Sequence, residues 1–356
     1  MHKQERHGVK AGLPLYDITG PLNYKMEGQM TKKDLRIIFM GTPEFAVGTL
    51  STLVENGYNV VAVVTQPDKP VGRHQDTLQP SAVKQYALSK DLPVLQPEKM
   101  KDPEFVDTLK SYNADLQVVV AFKMLPEVVW GMPRFGTFNV HAALLPQYRG
   151  AAPINWAIIN GEKQTGVTTF FLDHDIDTGR IIMQEPFEIK DEYNVEDVYD
   201  GLMKLGADIA VRTIDKIIEG DGKVDSLPQD GMIQTDKELH AAPKIFKETC
   251  RINWDNTAVN IHNFVRGLSP YPGAWTNMSA PDGKNTVLKI FKTALTTIPC
   301  NGKPSGTIMV YDGKMFVATN DCWLNLDCIQ LSGKKRMDAK AFINGFRELE
   351  NHKLVY

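Results

Sequence analysis

Three short stretches fix the fold class of this chain. Leu35-Arg36-Ile37-Ile38-Phe39-Met40-Gly41, residues 59–65 and residues 116–121 are nearly unbroken apolar runs rich in β-branched side chains. Each is too short for an ordinary helix and is bounded by turn-forming residues, so each is predicted to be a strand. A strand that is apolar on both faces needs cover on both. Leu92-Pro93-Val94-Leu95 adds a shorter candidate. Helical signals lie between the runs. Thr42-Pro43-Glu44 supplies a cap, a proline for the first helical position and an acid for the first turn. Strands alternating with helices predict an α/β architecture with a mostly parallel sheet. Gly41 and Gly48 do not form G-x-G-x-x-G, so the pyrophosphate loop of a dinucleotide-binding domain is absent.

The residues with the most chemistry follow these strands. Phe138-Asn139-Val140-His141 alternates apolar and polar, which predicts a strand with Asn139 and His141 on one face. An amide donor beside an imidazole suits a carbonyl oxygen that gains negative charge. A further strand signal at Thr168-Thr169-Phe170-Phe171-Leu172 runs into Asp173-His174-Asp175-Ile176-Asp177-Thr178-Gly179-Arg180. Asp177-Thr178-Gly179 reads as a tight turn. A carboxylate there can orient and charge-stabilise an imidazole. Each residue alone carries little weight, since a lone histidine is more often structural. A single Asp-Thr-Gly also falls short of an aspartic protease, which needs two facing carboxylates.

Taken in order, Asn139-Val140-His141, Leu144-Leu145-Pro146, Arg149-Gly150-Ala151-Ala152-Pro153-Ile154 and Asp177-Thr178-Gly179 resemble the folate-dependent formyltransferases. Among these, the resemblance is to the branch that formylates initiator methionyl-tRNA. It spans residues 35–355 and is strongest over 138–179. It implies a Rossmann-like formyltransferase domain followed by a small OB-like β-barrel. It carries the catalytic roles onto Asn139, His141 and Asp177. It implies that 10-formyltetrahydrofolate binds against Val120, Ala121, Phe122, Leu144, Leu145, Pro146, Asp173 and Asp175, with no metal. The loop of residues 66–76, marked as exposed by its prolines and charges, would enter the tRNA acceptor stem through Arg73. Two departures stand out. Ala143 occupies a position where the family commonly has Ser, and His74-Gln75-Asp76 replaces a more basic stretch.

Residues 1–33 are polar and aperiodic and are expected to be a disordered extension or tag. Residues 34–220 form the expected catalytic domain, 221–238 a Gly- and Asp-rich linker, and 239–356 a barrel that binds tRNA. Asn194 and Gly220 are the expected caps of a long helix. Beyond it, several short strands with an Asp312-Gly313 hairpin turn predict a β-barrel. The proposed folate pocket is expected to lie wholly before Glu219.

Charge supports the division. Residues 239–356 carry 15 Lys and Arg against 9 Asp and Glu, a net +6, while the preceding residues carry 25 against 34, a net −9. Lys334, Lys335 and Arg336 form the densest basic cluster and are candidates for holding tRNA phosphates. The four cysteines make no C-x-x-C pair, which argues against zinc and for a reduced, cytoplasmic protein, expected to be a monomer. No apolar run approaches the ~20 residues of a membrane span. Two rivals remain at this stage. One is a formyl-folate hydrolase or a transferase to a sugar or purine precursor. The other is a non-catalytic RNA-binding protein, which the intact Asn139, His141 and Asp177 set disfavours.

Overall fold

The computed structural model describes residues 29–71, 77–233, 238–346 and 348–356. The first half alternates strands and helices. β1 (Ile37–Gly41), α1 (Glu44–Glu55) and β2 (Val60–Val64) lead into a small hairpin of β3 (Lys69–Val71) and β4 (Thr77–Gln79). Then come α2 (Ala82–Ser89), β5 (Val94–Leu95), α3 (Pro103–Ser111), β6 (Leu116–Val120) and α4 (Glu127–Trp130). β7 (Thr137–His141), β8 (Arg149–Gly150), α5 (Pro153–Ile159), β9 (Gln164–Phe171), β10 (Ile181–Glu188) and α6 (Val195–Glu219) complete it.

Among the described residues, seven strands make one sheet in the order β10-β9-β7-β6-β1-β2-β5. β7, β6, β1, β2 and β5 run parallel, and β9 and β10 add an antiparallel margin. The expectation of a mostly parallel sheet holds, for the reason given by the sequence pattern. All five residues of β1 and of β6 are buried. Ile37 and Phe39 pack into the core that includes Leu50 of α1 and Leu202 of α6. Ile38 and Met40 pack against Phe105 and Leu109 of α3 on the other face.

The last helix of this half matches its expected ends. Asn194 forms a capping box with Asp197, and Gly220 closes the helix. β10 had no counterpart in the sequence reading. Its residues are mostly half-exposed, and Pro186 is tolerated because the strand lies at the sheet edge.

The second half contains β11 (Ala241–Ala242), α7 (Ala258–Leu268), β12 (Ala274–Ser279), β13 (Asn285–Ala294), β14 (Ile308–Tyr311) and β15 (Lys314–Ala318). β16 (Trp323–Leu331), β17 (Met337–Asp338), α8 (Ala339–Gly345) and β18 (Lys353–Val355) follow. An antiparallel sheet runs β14-β15-β16-β13-β12-β18, with β17 paired to β16. It curls until its ends meet, where the Leu354 amide donates to the Gly306 carbonyl at 2.9 Å and Thr307 bridges Lys353. This is the expected OB-like form. Asp312 and Gly313 both have positive φ, 49° and 68°, as a type I′ turn between β14 and β15 requires.

The two halves are stapled together by polar contacts between them. Asn155 Nδ2 donates to the Gly267 carbonyl at 2.8 Å, and Trp156 Nε1 to the Pro243 carbonyl at 2.8 Å. Arg266, which is buried, donates from Nη1 to the Tyr193 carbonyl at 2.9 Å. The segment read as a linker also packs on the first half. Leu227 bridges Ile181, and Gln229 is buried. At the other end, Met30 already packs against the first core. No helix among the described residues is long and apolar enough to cross a membrane.

Candidate active site

β7 sets the site. Phe138 and Val140 point into the core shared with α1 and α6, so Asn139 and His141 point to the opposite face. Both sit near the C-terminal ends of parallel strands, where ligands bind in open α/β sheets.

His141 is buried, and Phe170 meets its ring edge-on, with centroids 6.4 Å apart. Nε2 lies 2.9 Å from the Tyr148 carbonyl oxygen. A carbonyl only accepts, so Nε2 carries a hydrogen and donates it. Nδ1 is therefore the nitrogen left for chemistry. It lies 3.8 Å from Asp177 Oδ2, too far for a direct hydrogen bond, so the carboxylate faces the ring without bonding it. Asn139 is half-buried, and among the described residues no group hydrogen-bonds its side-chain amide. A donor without a protein partner beside a free ring nitrogen is available to a substrate oxygen.

Asp177 reaches the imidazole from the loop between β9 and β10. Its backbone is left-handed, with φ 55°, and Oδ2 accepts the Gly150 amide at 2.9 Å. The Thr-Gly after it has a steric cause. A Cβ on Gly179 would stand 1.7 Å from the Phe171 carbonyl oxygen. Gly150 is constrained as well. It lies on β8, which pairs with β11, and a Cβ there would stand 2.4 Å from the Ala242 oxygen at a φ of 128°. Gly150→Ala is expected to cost about 1–3 kcal/mol and to lower activity with it, because the amide that holds Asp177 must shift. Urea unfolding and a transfer assay on the same preparation check both effects.

Tyr148 supplies the carbonyl that fixes His141. Its own hydroxyl donates to Glu162 Oε1 at 2.6 Å, and burial together with that carboxylate pushes its pKa above the usual tyrosine range. Its ring stacks on His240 at 5.7 Å. The Tyr148 amide donates to the His240 carbonyl at 2.7 Å. The strand carrying both backbone partners of the His–Asp pair is thus held from behind by the chain entering the second half.

The residues expected to hold folate separate into groups. Val120 is fully buried in the core, so only its backbone can serve a ligand. Ala121, exposed with φ 47°, and half-buried Phe122 follow at the end of β6. Leu144 and Pro146 are half-buried, while Leu145 packs with Phe170 and Ile181. Asp173 is exposed, but its Oδ1 accepts from the Asp175 amide and from Thr178 Oγ1, so it shapes the loop. Asp175 is exposed. The loop leans on α4, with His174 edge-on to Trp130 at 5.4 Å, and leaves Met124 and Ile176 largely exposed nearby. Ala143, where the family commonly has Ser, is 0% exposed.

Arg73 and the His74-Gln75-Asp76 stretch lie outside the described residues. The base of their loop is anchored. Asp68 accepts from Lys84 Nζ at 2.6 Å and from Gln96 Nε2 at 2.8 Å. The hydrogen bond from Lys84, with that from Gln96, holds the Asp68 carboxyl below its ordinary pKa. Lys334, Lys335 and Arg336 are exposed in the turn between β16 and β17. Arg336 is partly engaged, its guanidinium 4.1 Å from the Phe291 ring and its Nε donating to Cys328 Sγ at 3.2 Å.

Comparison with known proteins places the chain in a family. Residues 35–214 match the family model described as formyl transferase, and residues 244–347 match its C-terminal domain. A methionyl-tRNA formyltransferase of Parabacteroides distasonis is 56% identical over 91% of this chain and 99% of its own length. Among solved structures, WlaRD is a sugar 3N-formyl transferase determined in the presence of dTDP and 5-N-formyl-THF. It superposes with a TM-score of 0.58 at 20% identity, over 85% of this chain and 99% of its own. HypX from Aquifex aeolicus, in complex with tetrahydrofolic acid, gives 0.57 at 18% identity, over 88% of this chain and 48% of its own. The chain belongs to the formyl transferase family, among the methionyl-tRNA formyltransferases.

Proposed function

We infer that this enzyme transfers a formyl group from 10-formyltetrahydrofolate to the α-amino group of methionine on initiator methionyl-tRNA. One observation carries the catalytic assignment: His141 Nδ1 faces Asp177 across 3.8 Å, beside an Asn139 amide with no protein partner.

The folate supplies the formyl carbon when bound. The residues fit such a group, because the strand end at Ala121 offers exposed backbone and Met124 and Ile176 offer apolar surface beside it. Asn139 donates to the formyl oxygen as the amine bonds to the formyl carbon and that oxygen gains charge. His141, kept in one orientation by the Tyr148 carbonyl, presents Nδ1 to the same reacting centre. Asp177 stabilises positive charge on the ring when Nδ1 holds a proton. Nδ1 would take the proton that the attacking amine gives up, and the same proton would satisfy the folate nitrogen that leaves the formyl carbon. No covalent enzyme intermediate is needed.

The acceptor assignment rests on the relatives and on charge. We propose that Arg73 contacts the acceptor end and that Lys334, Lys335 and Arg336 hold phosphates. Arg73→Ala is expected to lower kcat/KM for charged tRNA by about 10–100-fold, the worth of one charge-assisted contact, with folate binding unchanged. Neutralising Lys334, Lys335 and Arg336 together is expected to flatten the salt dependence of tRNA binding by up to ~3 units of slope. The deciding assay offers formyl-folate with methionyl-tRNA, with an amino sugar nucleotide, or with water alone. Transfer only to the second or third would displace this reading. The four free cysteines suit a reducing compartment, and we propose a cytoplasmic monomer, to be checked by sedimentation.

A further inference from the structure

We propose that Gln229 is a positioning residue for formyl transfer, acting through Asp177. This rests on the function inferred above and deepens it.

Gln229 is 2% exposed and lies in a short helical turn beyond α6. Its carboxamide uses its full hydrogen-bonding capacity. Nε2 donates to the Asp177 carbonyl at 2.9 Å and to the Gly179 carbonyl at 2.8 Å. Oε1 accepts from Arg149 Nε at 3.1 Å and from Nη2 at 2.7 Å. Only one orientation of the amide satisfies these partners, since the flipped form would set donors against a guanidinium and an acceptor against two carbonyls.

The two carbonyls flank the turn that aims the Asp177 carboxylate. Asp177 is left-handed there, a conformation that aspartate adopts more readily than most residues and that the hydrogen bonds from Gln229 help to fix. Gln229 clamps the main chain at Asp177 itself and two residues beyond it. Through Arg149 it also ties the turn to β8, whose next residue, Gly150, donates to Asp177 Oδ2. Tyr148, one residue before Arg149, supplies the carbonyl for His141. One buried amide therefore fixes the carboxylate turn against the strand that fixes the imidazole. No other protein side chain among the described residues hydrogen-bonds the Asp177 or Gly179 carbonyl.

Gln229→Met keeps the volume and removes all four hydrogen bonds. It is expected to lower single-turnover formyl transfer about 10²-fold, the cost of small misplacement in a catalytic group, while KM for methionyl-tRNA stays within about twofold. Gln229→Glu guards against a simple folding defect. Its carboxylate can accept from Arg149 but cannot donate to the turn, whereas its protonated form can donate one hydrogen bond. Its activity per folded molecule, relative to wild type, is expected to rise as pH falls, a trend that a merely structural role would not produce once the folded fraction is measured alongside. An active wild type with Gln229→Met within twofold of it, or with the whole loss in KM, overturns the clamp alone. A flat pH ratio for Gln229→Glu overturns it too. A wild type that formylates no aminoacyl-tRNA overturns the function reading, and this inference with it.

Discussion

His141→Ala is expected to cut kcat for formyl transfer by about 10²–10⁴-fold, the usual worth of a positioned acid–base group. The structure sharpens what is lost. The substitution removes the ring nitrogen that faces Asp177 and leaves the Tyr148 carbonyl without its donor. Binding of charged tRNA should hold within about twofold, because nothing in the acceptor grip runs through this ring. Single-turnover transfer and equilibrium tRNA binding, measured together, check both halves. Turnover near wild type would remove His141 from the mechanism. Asp177 would then be left facing an idle group.

Asn139→Ala is expected to lower kcat by about 10²–10³-fold, as for loss of one oxyanion donor. Its distinguishing feature is what should not change. The Asn139 amide has no protein partner among the described residues, so removing it breaks no internal hydrogen bond. The side chain is only half-buried, so little packing is lost. The melting temperature should therefore stay close to wild type while catalysis collapses. A large drop in melting temperature with modest loss of rate would reverse the assignment and make Asn139 a structural residue.

Different parts of the molecule were legible to different degrees. β1 and β6 could be read because burial on both faces leaves a run with almost no polar interruption. The hairpin at Asp312-Gly313 could be read because two successive left-handed residues demand that dipeptide. β10 could not. It is an edge strand with half-exposed residues and an internal proline, so neither alternation nor continuity marks it. In the site, Asn139, His141 and Asp177 were visible as side chains in a recurring order. Their supports were not. Tyr148 and Gly150 act through backbone atoms, which any residue type possesses. Gln229 sits in a segment whose glycines and acids read as a linker, and its partners are carbonyls that only the folded chain brings near. The folate pocket was expected to end before Glu219. β8, next to the His141–Asp177 pair, takes its strand partner β11 from beyond that point.

On the ribosome, the catalytic half cannot finish itself when its last helix emerges. The turn bearing Asp177 waits for Gln229, 52 residues on, and the segment beside His141 waits for Ala241 and Ala242 and for His240, whose amide donates to Gln147 Oε1 across 93 residues. The main sheet can form earlier, since its parallel strands are complete by β7. A nascent chain therefore passes through a stage with its scaffold built and its acid–base pair unaligned. Under the proposed site assignment, competence for chemistry arrives only as the first residues of the second half are made, so a prematurely ended chain that retains the sheet is expected to lack formyl transfer, which an assay of chains ended at Glu219 checks.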